Sequence, residues 1–551
     1  MNGLETPRSW RYTGFSAPTV LAWNCWNSAT VWSNPLKSKP NAERKHHMKL
    51  SICILLIGTA FLGLAQNTTP TPIPPGPPTV LPYYIGDAAK QHPLPPAQVP
   101  QDPFLGANPF NNVHNDAWQS DVYDIAGPLG RWPAMLSSTL QVARISNFPF
   151  FVCGTLAFDS RGRIVSTCLG PTESSLVLID PYTLDVLAYK HLTVAANPQA
   201  GYGNAYMSLD DHDRAVVTQT DHVLVFEQTG PMDKPQFKDP IDYDLSPWVS
   251  SQEFPNDNIM SLMPDWQGRL WFATRHSGLV GVFDPVTETV LGTLRLGGEI
   301  SNSFAMTADS AYVVTTKAMY RLTAGPDGTP RVVWRSEYQN IGVKKPGQLS
   351  AGSGTSPTIL DDGKYIAIND NADQMHVVVY PTAVDHKAAE PVDQAPLCEV
   401  PVFQRGAGAT EDSLIGLGRS LIVANEYGYI FDPLTPKSSP TVPGIARVDI
   451  DPNGKGCSLV WTNDQVAAPQ VGPKMSTKTG LIYFYTQKYD QAGLEVYYWT
   501  AVDFRTGAIV WEQQVGTGSQ FNSYVPGPAI GPTGALYVGL YGGLVSLRDT
   551  R

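Results

Sequence analysis

Phe158–Leu187 reads FDSRGRIVST…SLVLIDPYTLDVL, and Pro264–Leu291 reads PDWQGRLWFAT…GLVGVFDPVTETVL. Each begins with an Asp, a two-residue spacer and Gly-Arg, and runs into a short apolar strand. Each continues into a second strand ending in Asp-Pro, a turn, a Thr, and a third strand ending in Val-Leu. A weaker copy, LDDHDRAVVT from Leu209, places three turn aspartates at positions 159, 210 and 265, with spacings of 210 − 159 = 51 and 265 − 210 = 55. Self-similarity at such a period marks a repeat architecture in which each unit is one small antiparallel sheet.

Counting outward from these copies gives eight units. The fourth is AMTADSAYVVTTKAMYRL from Ala305 and the fifth SPTILDDGKYIAINDN from Ser356. The sixth holds DSLIGLGRSLIVANEYGY, the seventh PKMSTKTGLIYFYT, and the eighth GPAIGPTGALYVGLYGGLVSLRD at the C-terminus. The expected fold class is all-β: a single β-propeller of eight four-stranded blades over 136–551. Seven stays open as an alternative, because the second and fourth repeats are degenerate. The eighth unit has three strands, and the strand expected over Ser138–Ile145 is assigned to it as the fourth, closing the ring and hiding its edges.

Composition agrees. Charged residues make up 16% of the 551, and Gly and Pro number 48 each, as in turn-rich β proteins. The formal net charge of −11, with no Lys/Arg cluster after Lys49, argues against a nucleic-acid partner. Residues 1–47 read as an over-extended gene start. Residues 48–65, MKLSICILLIGTAFLGLA, read as a signal peptide: basic flank, apolar stretch, small residues before Gln66. Residues 66–135 read as a Pro-rich tether and N-terminal arm, with a glycosylation sequon at Asn67. The expectation is a secreted (periplasmic, in a bacterium) monomer with no membrane span after signal removal. Cys153 and Cys168 flank the Asp159–Gly162 turn symmetrically and are expected to pair across two strands, unless a bulged turn shifts the register by one. The pairing of Cys398 and Cys457 stays open.

Ala501-Val502-Asp503-Phe504-Arg505-Thr506-Gly507-Ala508-Ile509-Val510-Trp511 resembles the tryptophan-docking repeat of quinoprotein alcohol dehydrogenases, an eight-bladed family. Asn258-Ile259…Asp265…Gly268-Arg269-Leu270-Trp271-Phe272-Ala273-Thr274 resembles repeats of streptogramin-lyase-type and sensor-type propellers. The first resemblance implies that Trp461 and Trp511 pack between blades. The quinone chemistry of that family needs an adjacent Cys-Cys pair, and its haem-linked members need CxxCH; the chain has neither, which disfavours pyrroloquinoline quinone (PQQ) as cofactor.

Function must then lie in the loops on one rim. Between second and third strands these offer Asp221-His222, Arg275-His276, Lys317, Asn369-Asp370-Asn371, Asn425-Glu426-Tyr427 and Tyr541. Between blades they offer Asn204, Asn258, Asn302, Glu411-Asp412, Lys474 and Asn522-Ser523-Tyr524. The reading is an enzyme acting on a small organic molecule at the axis. His222, His276 and Tyr524 are its candidate acid–base residues, and Arg275, Asn258, Lys474 and Asn522 would hold substrate. Asp370, Asn371 and Glu426 are the candidate ligands for Ca²⁺, a cation that takes six to eight oxygens. The resemblances imply lactonase-like or lyase-like chemistry, or a cyclisation of the hetero-Diels–Alder kind. The alternative is a non-catalytic binding or scaffold propeller.

Overall fold

The structure, a computed structural model, describes residues 71–131, 133–145, 151–170, 173–192, 206–384, 391–429, 441–468, 471–523 and 527–550. The expected gene start, signal peptide and sequon, and Asn204 and Tyr524, lie outside these residues. The described residues all belong to one compact unit, 67–551.

Eight four-stranded antiparallel sheets follow one another along the chain as blades of a propeller. Blades 1 to 7 occupy 152–192, 208–244, 259–295, 305–337, 358–401, 415–463 and 474–517, with the first strand of each innermost. Blade 8 takes three strands from 529–549 and its outer strand from Ala134–Thr139, with Leu136 opposite Leu547. The degenerate second and fourth repeats both form complete blades, so the count is eight. The closing strand lies earlier than Ser138–Ile145. Ala134 and Leu136 pack against the core of blades 7 and 8, while Gln141–Arg144 forms one helical turn that buries Val142.

The repeated phrase is a self-capping turn. Asp159 accepts from the Arg161 and Arg163 amides (3.0 and 2.9 Å) and from Arg163 Nε (2.8 Å). Asp210 and Asp265 do the same with Arg214 and Arg269. The fourth position has positive φ in all three: Gly162 at 76°, Asp213 at 59°, Gly268 at 80°. Glycine takes that conformation at no steric cost, and Asp is among the few side chains that tolerate it.

The Cys153–Cys168 disulfide forms, by a route the sequence does not reveal. At the turn Phe158 faces Ile164, the register that would set Cys153 against Leu169. An interruption in the inner strand between Cys153 and Ala157 slips the pairing by one, so that Cys153 faces Cys168. Cys398 and Cys457 also pair, stapling the outer strands of blades 5 and 6.

Tryptophans on outer strands dock on neighbours. Trp461 of blade 6 covers Gly507 of blade 7 and donates to the Phe504 carbonyl (3.0 Å). Trp334 of blade 4 donates to the Thr382 carbonyl of blade 5 (3.2 Å). Trp511 is fully buried against Tyr483 and Gly130.

The Pro-rich arm is not a free tether. Tyr84–Gly86 extends blade 7 as an added outer strand, and the Thr517 amide is capped by the Pro75 carbonyl. From Asp102 the chain enters the ring and runs along the inner strands. Backbone hydrogen bonds tie Phe110 to blade 1, Asn111 to blade 2, Ala117 to blade 4, Trp118 to blade 5 and Ser120 to blade 6. Val122–Tyr123 then pairs in parallel with Lys474–Ser476 of blade 7. The central channel is occupied by the protein's own N-terminal segment.

Candidate functional site

Above that segment lies an axial cavity of about 50 Å³. Its floor is Val113 and His114, and its walls include Tyr206, Asn302, Leu349, Glu411, Asp412 and Lys474. Apart from Lys474, at the start of the inner strand of blade 7, the walls come from connections between blades, one of the two loop classes in which the sequence places candidate residues.

The floor is a buried charge network. Asp121 pairs with Lys474 Nζ, which also donates to the Val113 carbonyl. His114 Nδ1 lies 3.3 Å from Asp121 Oδ2 and 2.8 Å from Ser413 Oγ, and its Nε2 lies 3.2 Å from Ser356 Oγ. Burial alone would raise the Asp121 pKa, but Lys474 and then His114 hold it below the ordinary value. The Lys474 side chain is 1% exposed and paired with Asp121, so it fastens the axial segment from a position that also lines the cavity.

The wall is acidic. Glu411 Oε1 accepts from the Leu349 amide (2.7 Å), and the Glu411 amide donates to Glu426 Oε2 (2.7 Å). Burial pushes Glu411 up to about 8 and Asp412 up to about 6. Glu426 rises well above the carboxylate range through burial and then the Asp412 carboxyl beside it. Two carboxyls in contact in a low dielectric share a proton. Glu411 Oε2 is buried without a hydrogen-bond partner, while Asp412 and Glu426 turn their carboxyls to each other. Gly354 is required here, because a Cβ would lie 2.0 Å from the Thr410 carbonyl and 2.9 Å from Glu411.

The remaining expected residues disperse. Arg275 lies close enough to Glu411 to favour its ionised form, and its main chain is fixed by the Asn258 carbonyl and the Ile300 amide. Asn258 is buried with a free Oδ1. Asn522 Oδ1 accepts from the Tyr429 hydroxyl (3.3 Å). His276 is partly exposed, 3.6 Å from Glu299. His222 sits in a separate groove beside Lys190 and His191, with Asp242 at 2.8 Å and Asp221 and Asp244 at 3.8 Å. Burial lowers its pKa, but the Asp242 bond and the other carboxylates outweigh that and raise it.

The expected Ca²⁺ ligands are not gathered. Asp370 Oδ1 accepts from the His376 amide and Oδ2 meets His376 Nδ1 at 2.7 Å, so both oxygens are engaged. Asn371 Nδ2 binds Asn340 and Val343, while Glu426 faces Glu411 and Asp412. Among the described residues, the His/Cys/Asp/Glu group with ligand spacing is Asp210–Asp211–His212, and there Arg214 already holds Asp210.

Sequence reasoning missed His114 and Asp121, because it assigned their segment to a linker. The available signal was Asn111–Asp121, NNVHNDAWQSD, a proline-free run rich in hydrogen-bonding side chains inside a Pro-rich arm.

No protein-family model matches the chain. A stretch of 321 residues, 53% of this chain, is 30% identical to an uncharacterised protein of Archaeoglobus fulgidus and spans 61% of that protein's length. Among solved structures, the chain is similar to streptogramin B lyase (11% identity, 74% of this chain, 96% of that one, TM-score 0.36). It is also similar to a putative 6-phosphogluconolactonase of Bacteroides fragilis (10% identity, 67% and 97%, TM-score 0.37). A third is BamB of Moraxella catarrhalis (13% identity, 61% and 96%, TM-score 0.33). At these scores the likenesses carry no argument about chemistry.

Proposed function

We propose that the protein is a secreted enzyme performing non-redox acid–base chemistry, lactone-opening or lyase-like, on a small organic molecule seated over the axial cavity. The observation that carries this reading is the set of buried carboxyls at the axis, two of which, Glu411 and Asp412, line the cavity. A carboxyl with a pKa near 8 holds its proton at neutral pH and can donate it to a leaving oxygen. Arg275 then stabilises the carboxylate left behind. Asp412, sharing one proton with Glu426, is the base when ionised. The two disulfides support an oxidising compartment. Among the described residues no helix is long and apolar enough to cross a membrane.

The test is a panel of simple five- and six-membered lactones followed by pH-stat. Turnover by the wild type, falling at least 100-fold in Glu411→Gln and unchanged in His222→Ala, is the expected result. Absence of turnover across the panel, with no ligand-induced rise in Tm, favours the scaffold reading instead.

A further inference from the structure

The axial cavity is small for the work proposed for it. Its volume of about 50 Å³ holds a few waters, whereas sites for small organic molecules run to about 300–1,000 Å³. Part of its wall therefore moves when a substrate enters. Most of that wall is fixed. Met260 lies on the inner strand of blade 3, Lys474 is paired with Asp121, and Val113 and His114 belong to the segment tied to the inner strands. Leu349 is placed differently. It is half-buried, and it lies in the longest connection between blades, 338–357, which contains no strand or helix.

Within that connection 346–352 is built as one piece. Gln348 Oε1 accepts from the Lys345 amide (3.0 Å) and Gln348 Nε2 donates to the Gly352 carbonyl (3.3 Å), so one buried side chain ties both ends of the arc. Its flanks are anchored. Lys345 Nζ donates to the Gly408 carbonyl (3.0 Å), and the Ser353 amide donates to the Tyr338 hydroxyl (2.9 Å). The arc itself meets the ring through scattered hydrogen bonds. The Leu349 and Ser350 amides donate to the Glu411 carboxyl, the first at 2.7 Å. The Ser301 hydroxyl donates to that of Ser350 (3.0 Å), and the Gly428 amide to the Pro346 carbonyl (3.1 Å). A stiff arc with anchored ends and a light latch is the construction of a flap. Gly347 lets it lie flat: its φ is 101°, and a Cβ there would come within 2.3 Å of the Glu426 carbonyl.

We infer that 346–352 is a flap that opens to admit the substrate, and that Leu349 is its specificity-determining residue, laying an apolar side chain against the ligand on closure. This rests on the reading of the axis as the substrate site. Val113 and Met260 also line the cavity, so with Leu349 they select a substrate that carries an apolar portion beside the group that reacts. The latch is Glu411, the acid of that reading. Closure delivers two amide donors to its carboxyl, which favours the ionised form and eases release of the proton only when the site is shut.

Hydrogen–deuterium exchange of the full chain tests the motion without a substrate. Amides of 346–352 should exchange at least 100-fold faster than those of 114–122, and faster still in Gly347→Ala, checked for an unchanged Tm. Ser301→Cys with Ser350→Cys places thiols where two hydroxyls lie 3.0 Å apart. Oxidation of that pair should slow exchange of 346–352 at least tenfold and leave 114–122 as it was. If 346–352 exchanges no faster than 114–122, or the oxidised bridge leaves its exchange unchanged, there is no flap. Lactone turnover should fall at least tenfold in the bridged form and return on reduction, with wild type under the same reductant alongside. In Leu349→Ala the KM for lactones bearing an alkyl chain should rise at least tenfold with kcat changing less; an unchanged KM removes Leu349 from specificity. Full turnover by the bridged form overturns the flap and leaves the proposed function standing. The expected exchange without turnover of any lactone overturns the enzyme reading and leaves the flap standing.

Discussion

Lys474 and Asp121 show how one residue pair fastens the ring to the segment that runs through it. The lysine belongs to blade 7 and the aspartate to the axial segment, and both side chains are almost fully buried. Replacing Lys474 by Met leaves Asp121 buried without its main counter-charge. Chemical denaturation should register a loss of about 3–5 kcal/mol, and Asp121→Asn added to that variant should recover much of it. Lys474 was legible as polar and axial, but its partner was not, because nothing local distinguishes a linker aspartate from one that will meet a lysine 353 residues away. Glu411 and Asp412 were visible as loop acids. Their raised pKa values were not, since these come from burial, which belongs to the folded ring.

At the level of elements, the turn phrase and the tryptophans explain why the blade count was readable. Asp265 supplies four hydrogen bonds, to the Gln267 and Arg269 amides, Arg269 Nε and Trp271 Nε1. Asp265→Ala should cost about 2–3 kcal/mol in urea unfolding, with Asp265→Asn costing less, because the amide oxygen still caps the turn. The tryptophan-docking motif is broader than the single full copy in the sequence. Val333-Trp334, Val460-Trp461 and Val510-Trp511 all lie on outer strands, and the dipeptide alone would have found them. The Cys398–Cys457 bridge closes 59 residues across two blades. Its removal by paired Cys→Ser substitution should lower stability by about 4 kcal/mol in a chain-entropy estimate, more than the roughly 3 kcal/mol for Cys153–Cys168 with its separation of 15. The closing strand was misplaced because alternation in Ala134–Ile145 permits more than one register, and only the packing of Val142 under blade 1 selects the one observed.

For the molecule as a whole, the buried acids set a pH dependence. Glu411 and Asp412 titrate higher folded than unfolded, so the native state binds more protons than the unfolded chain from about pH 4 up to their folded values. Stability contributed by their protonated forms is full below that window and declines as pH rises through about 6 and then about 8. Tm measured from pH 5 to 8.5 should fall, and Glu411→Gln should flatten the upper part of the curve. Asp121, depressed by Lys474, acts oppositely and weakens the fold only as pH drops through its own low pKa. Deleting Ala134–Thr139 should expose the Gly543–Asp549 edge and produce soluble oligomers or aggregates in size-exclusion chromatography, because an unpaired strand is a template for another chain.

The segment through the axis also has a kinetic consequence. Its hydrogen bonds join Phe110 to Phe158, Trp118 to Ile359, Ser120 to Gly416 and Asp121 to Met475, so the first part of the unit to be synthesised contacts blades made much later. Such pairings raise the mean sequence separation of contacts and delay their reward until most of the chain exists. The ring is assembled around an axle made in advance of the wheel. A circular permutant that moves 102–123 to the C-terminus would have to thread an already closed ring, and should refold more slowly than the natural order.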